Sequence, residues 1–509
     1  MVEVRTKLMS NTMYLMIAWV SSIFLNFFFQ LIATKTLLPE ELGILATAIN
    51  FAAIIAALLT LGMEQTTQRL TAYYLGKDKN EYLKSVLWFF LLATVSLNIL
   101  TVTVLLIFSS EISQLTKLPR NILFFSIAAL MPLSISIFLA GVIRGYQNMR
   151  YLLATSILGD FIKLLVSATL VFFLGFKVFG FLIGYLMAVS SVLIFRFSSI
   201  RLFITKFKTP NIKLVVTQAV PSFITQFFWL LLLNGQYLII SILQDTYATG
   251  LFAVGMILSN QIYFIPRIIA DALFPITSRL TGNRDLVNQQ RNLINLALRY
   301  SLLIALPLLF FIVSFPKQLI FLIGRPHFFP AANLAPILIL ASLFFGIATL
   351  FSRTLYAIGK TITFQNISIA SAIFYLLISV TLTYLFSALG TSLAYLSAAL
   401  FMTVASLYYL RKYMGFKINF PPIAKLLASS ILTFSSLYAV SFFTPNLIIG
   451  GVLAAIFTLL YFFLLYLFNF YDENDIKILN FISANVPLSR RYVNILKTFL
   501  LKKIQSNTK

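Results

Sequence analysis

The sequence of 509 residues contains no cysteine and a single histidine, His327. Disulfides, thiolate metal sites and thiol nucleophiles are therefore excluded, and a metal site or catalytic relay built on histidine is disfavoured. Charged residues are also scarce, at 10% of the chain, whereas about 25% is usual for soluble proteins. No segment between the apolar runs is long enough for a soluble catalytic domain, so we expect neither an enzyme nor a cofactor.

The chain is instead rich in apolar residues, which make up 60% of it. Runs of about 18 or more apolar residues predict membrane-spanning helices, and such runs recur from end to end. We therefore predict an all-α polytopic membrane protein. The fourteen predicted spans lie near residues 9–33, 42–63, 85–108, 121–143, 151–174, 178–196, 219–242, 250–277, 293–314, 332–352, 363–387, 391–410, 424–443 and 447–470. The first run is too long for a signal-peptide core and is interpreted as a retained span.

The basic residues are distributed unequally between the two sides of the predicted membrane protein. Of the 38 Lys and Arg residues, 29 fall in alternate gaps on one side, six on the other and three within spans. Cytoplasmic loops carry the excess of Lys and Arg, so we predict a plasma-membrane protein with both termini in the cytoplasm. The net charge of +24 thus reflects membrane topology, and no nucleic acid is expected as a partner.

The chain repeats itself at an offset of about 210 residues. Arg144 and Arg150 correspond to Arg353 and Lys360, and Gly43 corresponds to Gly250 at a slightly shorter offset. Each half holds six spans, which predicts a parallel repeat with binding sites between two lobes. The predicted organisation is an N-terminal lobe (1–208), a C-terminal lobe (209–412), two extra spans (413–470) and a basic amphipathic tail (471–509) on the membrane lipids.

Four of the charged residues within predicted spans are the first candidates for a binding site. Arg267 and Asp271 are four residues apart in span 8, so they share a helix face and could partly neutralise each other. Lys163 and Arg299 lie in spans 5 and 9. A charge at bilayer depth costs about 2.5–3.5 kcal/mol. All three cations suit an anion such as a phosphate or pyrophosphate, although Lys163 could instead pair with Asp160 and Arg299 could reach the interface.

Uncharged amides form a second set of candidates within the spans. Such side chains either bridge helices or contact the hydroxyl groups of a sugar. The glycan-binding candidates are Asn26, Gln30, Asn50, Gln236 and Asn260. Glu64, at the end of span 2, is interpreted as a boundary residue. A phosphate loop at Gly359–Lys360–Thr361 is disfavoured, because Thr354 stands where the leading glycine should be.

One segment resembles a known family. The stretch GLFAVGMILSNQIYFIPRIIADALFPITSRLT, residues 250–281, is similar to the eighth span and following loop of polysaccharide and oligosaccharide flippases of the Wzx type. These flippases belong to the multidrug/oligosaccharidyl-lipid/polysaccharide (MOP) exporter superfamily. Further matches are FLIG (321–324), YAIGK (356–360) and RGYQ (144–147).

The resemblance implies movement of a polyprenyl-linked oligosaccharide from the inner to the outer leaflet by alternating access. It also implies that basic cavity residues, Arg267 above all, hold the phosphate or pyrophosphate. Partners would be the lipid-linked oligosaccharide, membrane lipids and glycan polymerase or glycosyltransferase machinery. The segment Asn234–Gly235–Gln236 stands near the middle of span 7, where many members carry an acid, which places cation coupling there in doubt.

Rival functions stay open at the level of the sequence. A multidrug/cation antiporter of the same superfamily usually keeps an acid in span 1, and a peptidoglycan-precursor flippase usually has charges there. Span 1 of this chain has neither. A glycan polymerase or ligase would need larger outer loops, and a scaffold without transport would leave the buried cations unexplained.

Overall fold

The computed structural model describes residues 20–77, 80–199, 212–281, 286–441, 447–472, 474–476 and 480, and within these ranges it is helical, without a strand. Twelve helices in the described part of the chain are long and apolar enough to cross a membrane. This confirms the predicted all-α polytopic fold. The first eight helices are α1 (20–36), α2 (Pro39–Leu59), α3 (Met63–Leu75), α4 (Asn80–Ile107), α5 (Ser109–Thr116), α6 (Arg120–Gly145), α7 (Met149–Leu174) and α8 (Lys177–Ser199).

The helices that follow include the two longest. They are α9 (Ile212–Leu243), α10 (Thr246–Leu280), α11 (Val287–Ser314), α12 (Pro316–Ile323), a 3₁₀ helix (Pro326–Asn333), α13 (Ala335–Ala357), α14 (Thr361–Met414), α15 (Phe420–Ser441) and α16 (Leu447–Leu467). We call residues 20–199 the first half and residues 212–414 the second half.

Helix α14 contains two membrane spans rather than one. Its 54 residues are broken at Ser387, whose backbone has φ 54° and ψ −139°. The parts on either side of Ser387 return alongside each other, because the hydroxyls of Thr363 and Tyr413 are 3.1 Å apart and the Phe374 and Phe401 ring centroids 4.9 Å apart. The prediction of separate spans at 363–387 and 391–410 therefore agrees with a helical hairpin at Ser387.

The sequence interpretation missed one helix next to the second span. Residues 64–84 lie between the second and third predicted spans, but α2 ends at Leu59 and the amphipathic helix α3 follows from Met63. Gly62 makes the turn between them with φ 71°, a conformation that glycine adopts without a steric penalty. Helix α3 packs on α6 at Gly141, where an added Cβ would lie 2.2 Å from the Glu64 carbonyl oxygen.

Helices α2, α10 and α13 form the centre of the helix array. Helix α2 contacts α6, α9 and α10, and α10 also packs along α13. The approach of α13 to α10 requires Gly346, because a Cβ there would lie 2.7 Å from the Pro266 ring. Small residues at such crossings are typical of membrane helices, where close van der Waals packing drives association. Despite Pro266 and Pro275, α10 is helical throughout.

The helix array has two ends, which we define by the helices that lie there. The basic end holds α3 and the C-terminal ends of α6 and α13, and the far end is where α2 and α10 begin. Beyond the second half, α15 packs on α11, with Phe310 and Phe434 stacked at 5.0 Å. The predicted amphipathic tail falls almost entirely outside the described residues.

Candidate functional site

A cavity of about 810 Å³ opens at the basic end, between residues of the two halves. Its volume lies within the usual range for small-molecule sites, about 300–1,000 Å³. Helices α3 and α6 of the first half face α9, α10, α13 and α14 of the second half across it. Among the described residues, the cations that line the cavity are Arg69 and Arg144 from the first half and Arg353 from the second.

The first-half arginine Arg144 is held by a carboxylate. Arg144 forms an ion pair with Glu64, and Gln226 of the second half approaches the same carboxylate at 3.5 Å. The Arg144 side chain is 36% exposed and the Glu64 side chain 18%. Glu64 is therefore a cavity residue with a defined partner rather than merely a boundary residue.

The second-half arginine is held in the same way. Arg353, near the end of α13, forms an ion pair with Asp271 of α10 and remains 37% exposed. Asp271, which shares a helix face with Arg267, thus has an ion-pair partner on a neighbouring helix. Because α13 packs closely on α10, Arg353 reaches the Asp271 carboxylate from the neighbouring helix.

Arg267 lies one turn of α10 before Asp271, about 6 Å along the helix axis. Its Nη1 donates to the Tyr263 hydroxyl at 3.4 Å, and its guanidinium lies 5.4 Å from the Tyr263 ring centroid. Like-charge repulsion acts between Arg267 and Arg353, so the two guanidinium groups are neighbours. Arg267 is half-buried and sits next to the cavity lining rather than in it.

Lys163 belongs to a polar cluster between α1 and α7. Its ammonium lies 3.0 Å from the Asp160 carboxylate and 2.5 Å from the Asn26 amide oxygen, and the Asn26 amide nitrogen donates to Asp160 at 3.2 Å. The Phe29 ring centroid lies 5.1 Å from the ammonium. Of the two readings that the sequence allowed, the structure shows the ion pair. None of the cluster's residues lines the cavity.

We expect Lys163→Ala to lower the free energy of unfolding by about 3 kcal/mol, because it leaves the Asp160 charge without its partner in a low-dielectric setting. The midpoint of thermal unfolding of the detergent-purified protein measures the loss. The double variant Asp160→Asn/Lys163→Met should recover most of it. A single variant as stable as the wild type would show that the ion pair is not needed for stability.

Arg299 lies away from the cavity, in a clamp at the start of the C-terminal segment. The residue is 4% exposed, and its guanidinium contacts Asp472 at 2.5 Å and Asp475 at 2.6 Å and donates to the Phe470 carbonyl at 2.9 Å. Burial raises the pKa of the Asp475 carboxyl, and the Asp472 N–H, the adjacent guanidinium and the Tyr300 hydroxyl all favour its ionised form. In this conformation Arg299 therefore cannot hold a ligand in the cavity.

The predicted glycan-binding amides are dispersed. Asn26 belongs to the Lys163 cluster, with Gln30 one turn further along α1. Asn50 donates to the Ala46 carbonyl of its own helix at 2.8 Å, and Asn260 is half-buried on α10. Gln236 is completely buried, and neither polar atom of its amide has a hydrogen-bond partner. None of the five lines the cavity, which is instead lined by Gln65, Gln68, Ser222, Thr225 and Gln365.

Sequence reasoning thus missed the cavity's own cations. In the sequence, Arg144 and Arg353 are distinguished only as equivalent positions of the repeat. Their equivalence in the repeat is the sequence signal that could have identified them as site residues. Each of the two arginines stands near the end of a helix and is paired with an acid of its own half.

Comparisons with known proteins agree with this architecture. The structure is similar to a lipid II flippase, MurJ, in an inward closed conformation, with a TM-score of 0.72 and 17% identity over 88% of this chain and 98% of that one. It is also similar to a multidrug resistance MATE family transporter in an inward-facing conformation, with a TM-score of 0.64 and 15% identity over 77% and 95% of the chains. A MOP superfamily transporter from Pyrococcus furiosus gives a TM-score of 0.55 and 17% identity over 80% and 95%. Among curated protein sequences no match is found.

The chain is thus a multi-pass membrane protein that shares the fold of these transporters and flippases. Residues 8–281, more than half of the chain, match the family described as polysaccharide biosynthesis protein. The chain belongs to that family.

Proposed function

We propose that this protein is a flippase that moves a polyprenyl-(pyro)phosphate-linked oligosaccharide from the cytoplasmic to the outer leaflet of the plasma membrane by alternating access. Family membership and the shared fold support transport of a lipid-linked substrate. The observation that carries the proposal is the cavity at the basic end, which has arginines from both halves of the chain.

The chemistry of the cavity suits a diphosphate headgroup. A guanidinium has five N–H donors in a planar fork, so a contact with one carboxylate leaves donors for a second anion. Glu64 and Asp271 hold Arg144 and Arg353 in place, while more than a third of each arginine side chain stays exposed. A diphosphate between them would form charge-assisted hydrogen bonds to both halves.

The sidedness of the protein follows from its charge. The basic end carries the loops rich in Lys and Arg, and such loops face the cytoplasm. We therefore assign the cavity and both termini to the cytoplasmic side, where a lipid-linked oligosaccharide would enter with its headgroup still in the inner leaflet.

Arg267 is proposed as the next anion site along the path. It lies one turn deeper than the Asp271–Arg353 pair on α10, beside Tyr263. The uncharged polar residues of the cavity, including Gln65, Gln68 and Gln365, offer hydrogen bonds to sugar hydroxyls. The polyprenyl tail would stay in lipid while the two halves rock about the headgroup.

Leaflet accessibility of the lipid-linked oligosaccharide, in cells depleted of this protein, tests the proposal. The oligosaccharide should accumulate in the cytoplasmic leaflet and return to the outer leaflet when the wild-type gene is restored. Normal glycan display after depletion would contradict a flippase. If new sensitivity to cationic drugs appeared as well, the assignment would move to a multidrug/cation antiporter, which shares the fold.

A further inference from the structure

Helices α2 and α10 cross at two glycines with their backbones in direct contact. A Cβ on Gly43 would lie 1.7 Å from the Thr246 carbonyl oxygen and 2.9 Å from the Gly250 nitrogen. A Cβ on Gly250 would lie 1.8 Å from the Pro39 carbonyl oxygen and 3.1 Å from the Gly43 nitrogen. The contact is reciprocal, since each glycine meets the residue four positions before the other. No other residue fits at either position without separating the helices.

The crossing lies at the far end, opposite the cavity. Both glycines belong to the first two turns of their helices, which begin at Pro39 and Thr246. Helix α2 belongs to the first half and α10 to the second, so the two halves meet there and leave a cavity at the basic end.

Hydrogen bonds between the halves surround the glycine crossing. The Lys35 ammonium donates to the carbonyls of Phe321 and Gly324, each at 3.2 Å, and Arg325 Nε donates to the Lys35 carbonyl at 2.8 Å. On another side of the crossing, the Ser241 hydroxyl donates to the Thr116 carbonyl at 2.5 Å. These bonds use backbone carbonyls as acceptors, which water can satisfy instead once the halves part.

We propose that the Gly43–Gly250 crossing is the gate that closes the far side of the transport path. The inference rests on the alternating access proposed above: the crossing closes when the cavity at the basic end is open, and it opens when that cavity closes. The absence of side chains lets the two helix backbones meet and exclude even water. A methyl group at either position would hold the halves apart by at least about 1 Å, given the usual carbon contact distance, and would therefore favour the state with the far side open.

Alanine variants with cysteine reporters test the gate, and the chain offers a background without cysteine. Thr225→Cys lines the cavity and reports its opening through reaction with a maleimide from the basic side. The pair Thr116→Cys/Ser241→Cys reports closure of the far end through disulfide formation. We expect Gly43→Ala and Gly250→Ala each to lower both the Thr225→Cys labelling rate and the disulfide yield about tenfold. Both readouts should fall because the population of the state with the basic-end cavity open falls about tenfold.

The matched control is Gly235→Ala on α9, a buried glycine whose added Cβ would meet nothing closer than 3.8 Å. It should label and cross-link like the wild-type background. The proposal is overturned if inserted Gly43→Ala and Gly250→Ala proteins match this control. It is also overturned if neither variant inserts while Gly235→Ala does, because the crossing would then be a permanent packing contact. Both readouts report conformation, so they are independent of whether the substrate is a lipid-linked oligosaccharide.

Discussion

Replacing Arg353 with alanine is expected to lower the transport rate of the lipid-linked substrate about 10- to 100-fold, the equivalent of about 1.5–3 kcal/mol for hydrogen bonds to a charged group. Arg353 is the only cation that the second half contributes to the cavity lining in the described part of the chain. Without it, a diphosphate bound to Arg69 and Arg144 would touch one half only. The measurement is appearance of the oligosaccharide in the outer leaflet, with the amount of inserted protein held equal.

A matched control separates this effect from the general loss of a basic residue. Lys360→Ala removes a cation seven residues further along the same end of the protein, and Lys360 does not line the cavity. It should transport normally.

Arg353→Lys keeps the charge but loses the planar fork, so we expect an intermediate rate. Because Arg353→Ala leaves Asp271 without its ion pair, the double variant Asp271→Asn/Arg353→Ala should be equally inactive but normally inserted. Normal transport by either inserted variant would remove Arg353 from the proposed site.

The membrane spans could be predicted from the sequence because lipid imposes a simple requirement. Each span needs a long apolar run, and the sequence shows two such runs in α14, one on each side of the break at Ser387. Helix α3 was missed because its apolar residues are interrupted by polar ones over only 13 residues. It packs against α6 at Gly141, a contact between distant parts of the chain that the local sequence pattern does not reveal.

The candidate site was harder to predict for an electrostatic reason. Arg267 is conspicuous in the sequence because it interrupts an apolar run. Arg144 and Arg353 stand near the ends of helices, where the excess of basic residues in cytoplasmic loops already accounts for them. Only the folded arrangement shows that both face one cavity and that each has an acid partner.

The ion-pair partners of Asp271 and Arg299 could not be predicted from the sequence either. Helical spacing made Arg267 the nearest candidate for Asp271, but a neighbouring helix supplies Arg353 instead. The same is true of Arg299, whose acid partners Asp472 and Asp475 come from a segment that the sequence assigned to the tail.

The second large effect is expected at this clamp, where Arg299→Ala should lower the free energy of unfolding by about 3–5 kcal/mol. Asp475 is 7% exposed and would keep its carboxylate buried without the guanidinium that neutralises it. The midpoint of thermal unfolding of the detergent-purified protein measures the loss. Lys425→Ala is the matched control, because Lys425 donates to the Asn469 carbonyl of the same segment at 2.8 Å in an exposed contact. It should change the midpoint little.

The dependence of this loss on pH distinguishes an uncompensated charge from lost packing. Burial raises the pKa of Asp475, and without Arg299 only the hydrogen bonds from the Asp472 N–H and the Tyr300 hydroxyl remain to oppose that shift. An acid whose pKa is higher in the folded than in the unfolded state stabilises the fold when protonated, and this stability is lost as the pH rises through the folded-state pKa. The deficit of Arg299→Ala should therefore shrink as the pH falls from about 8 towards the ordinary aspartate value of about 3.9. A deficit that stays constant over this range would mean that Arg299 contributes through packing against Phe470, whose ring centroid lies 4.2 Å away, and not through charge.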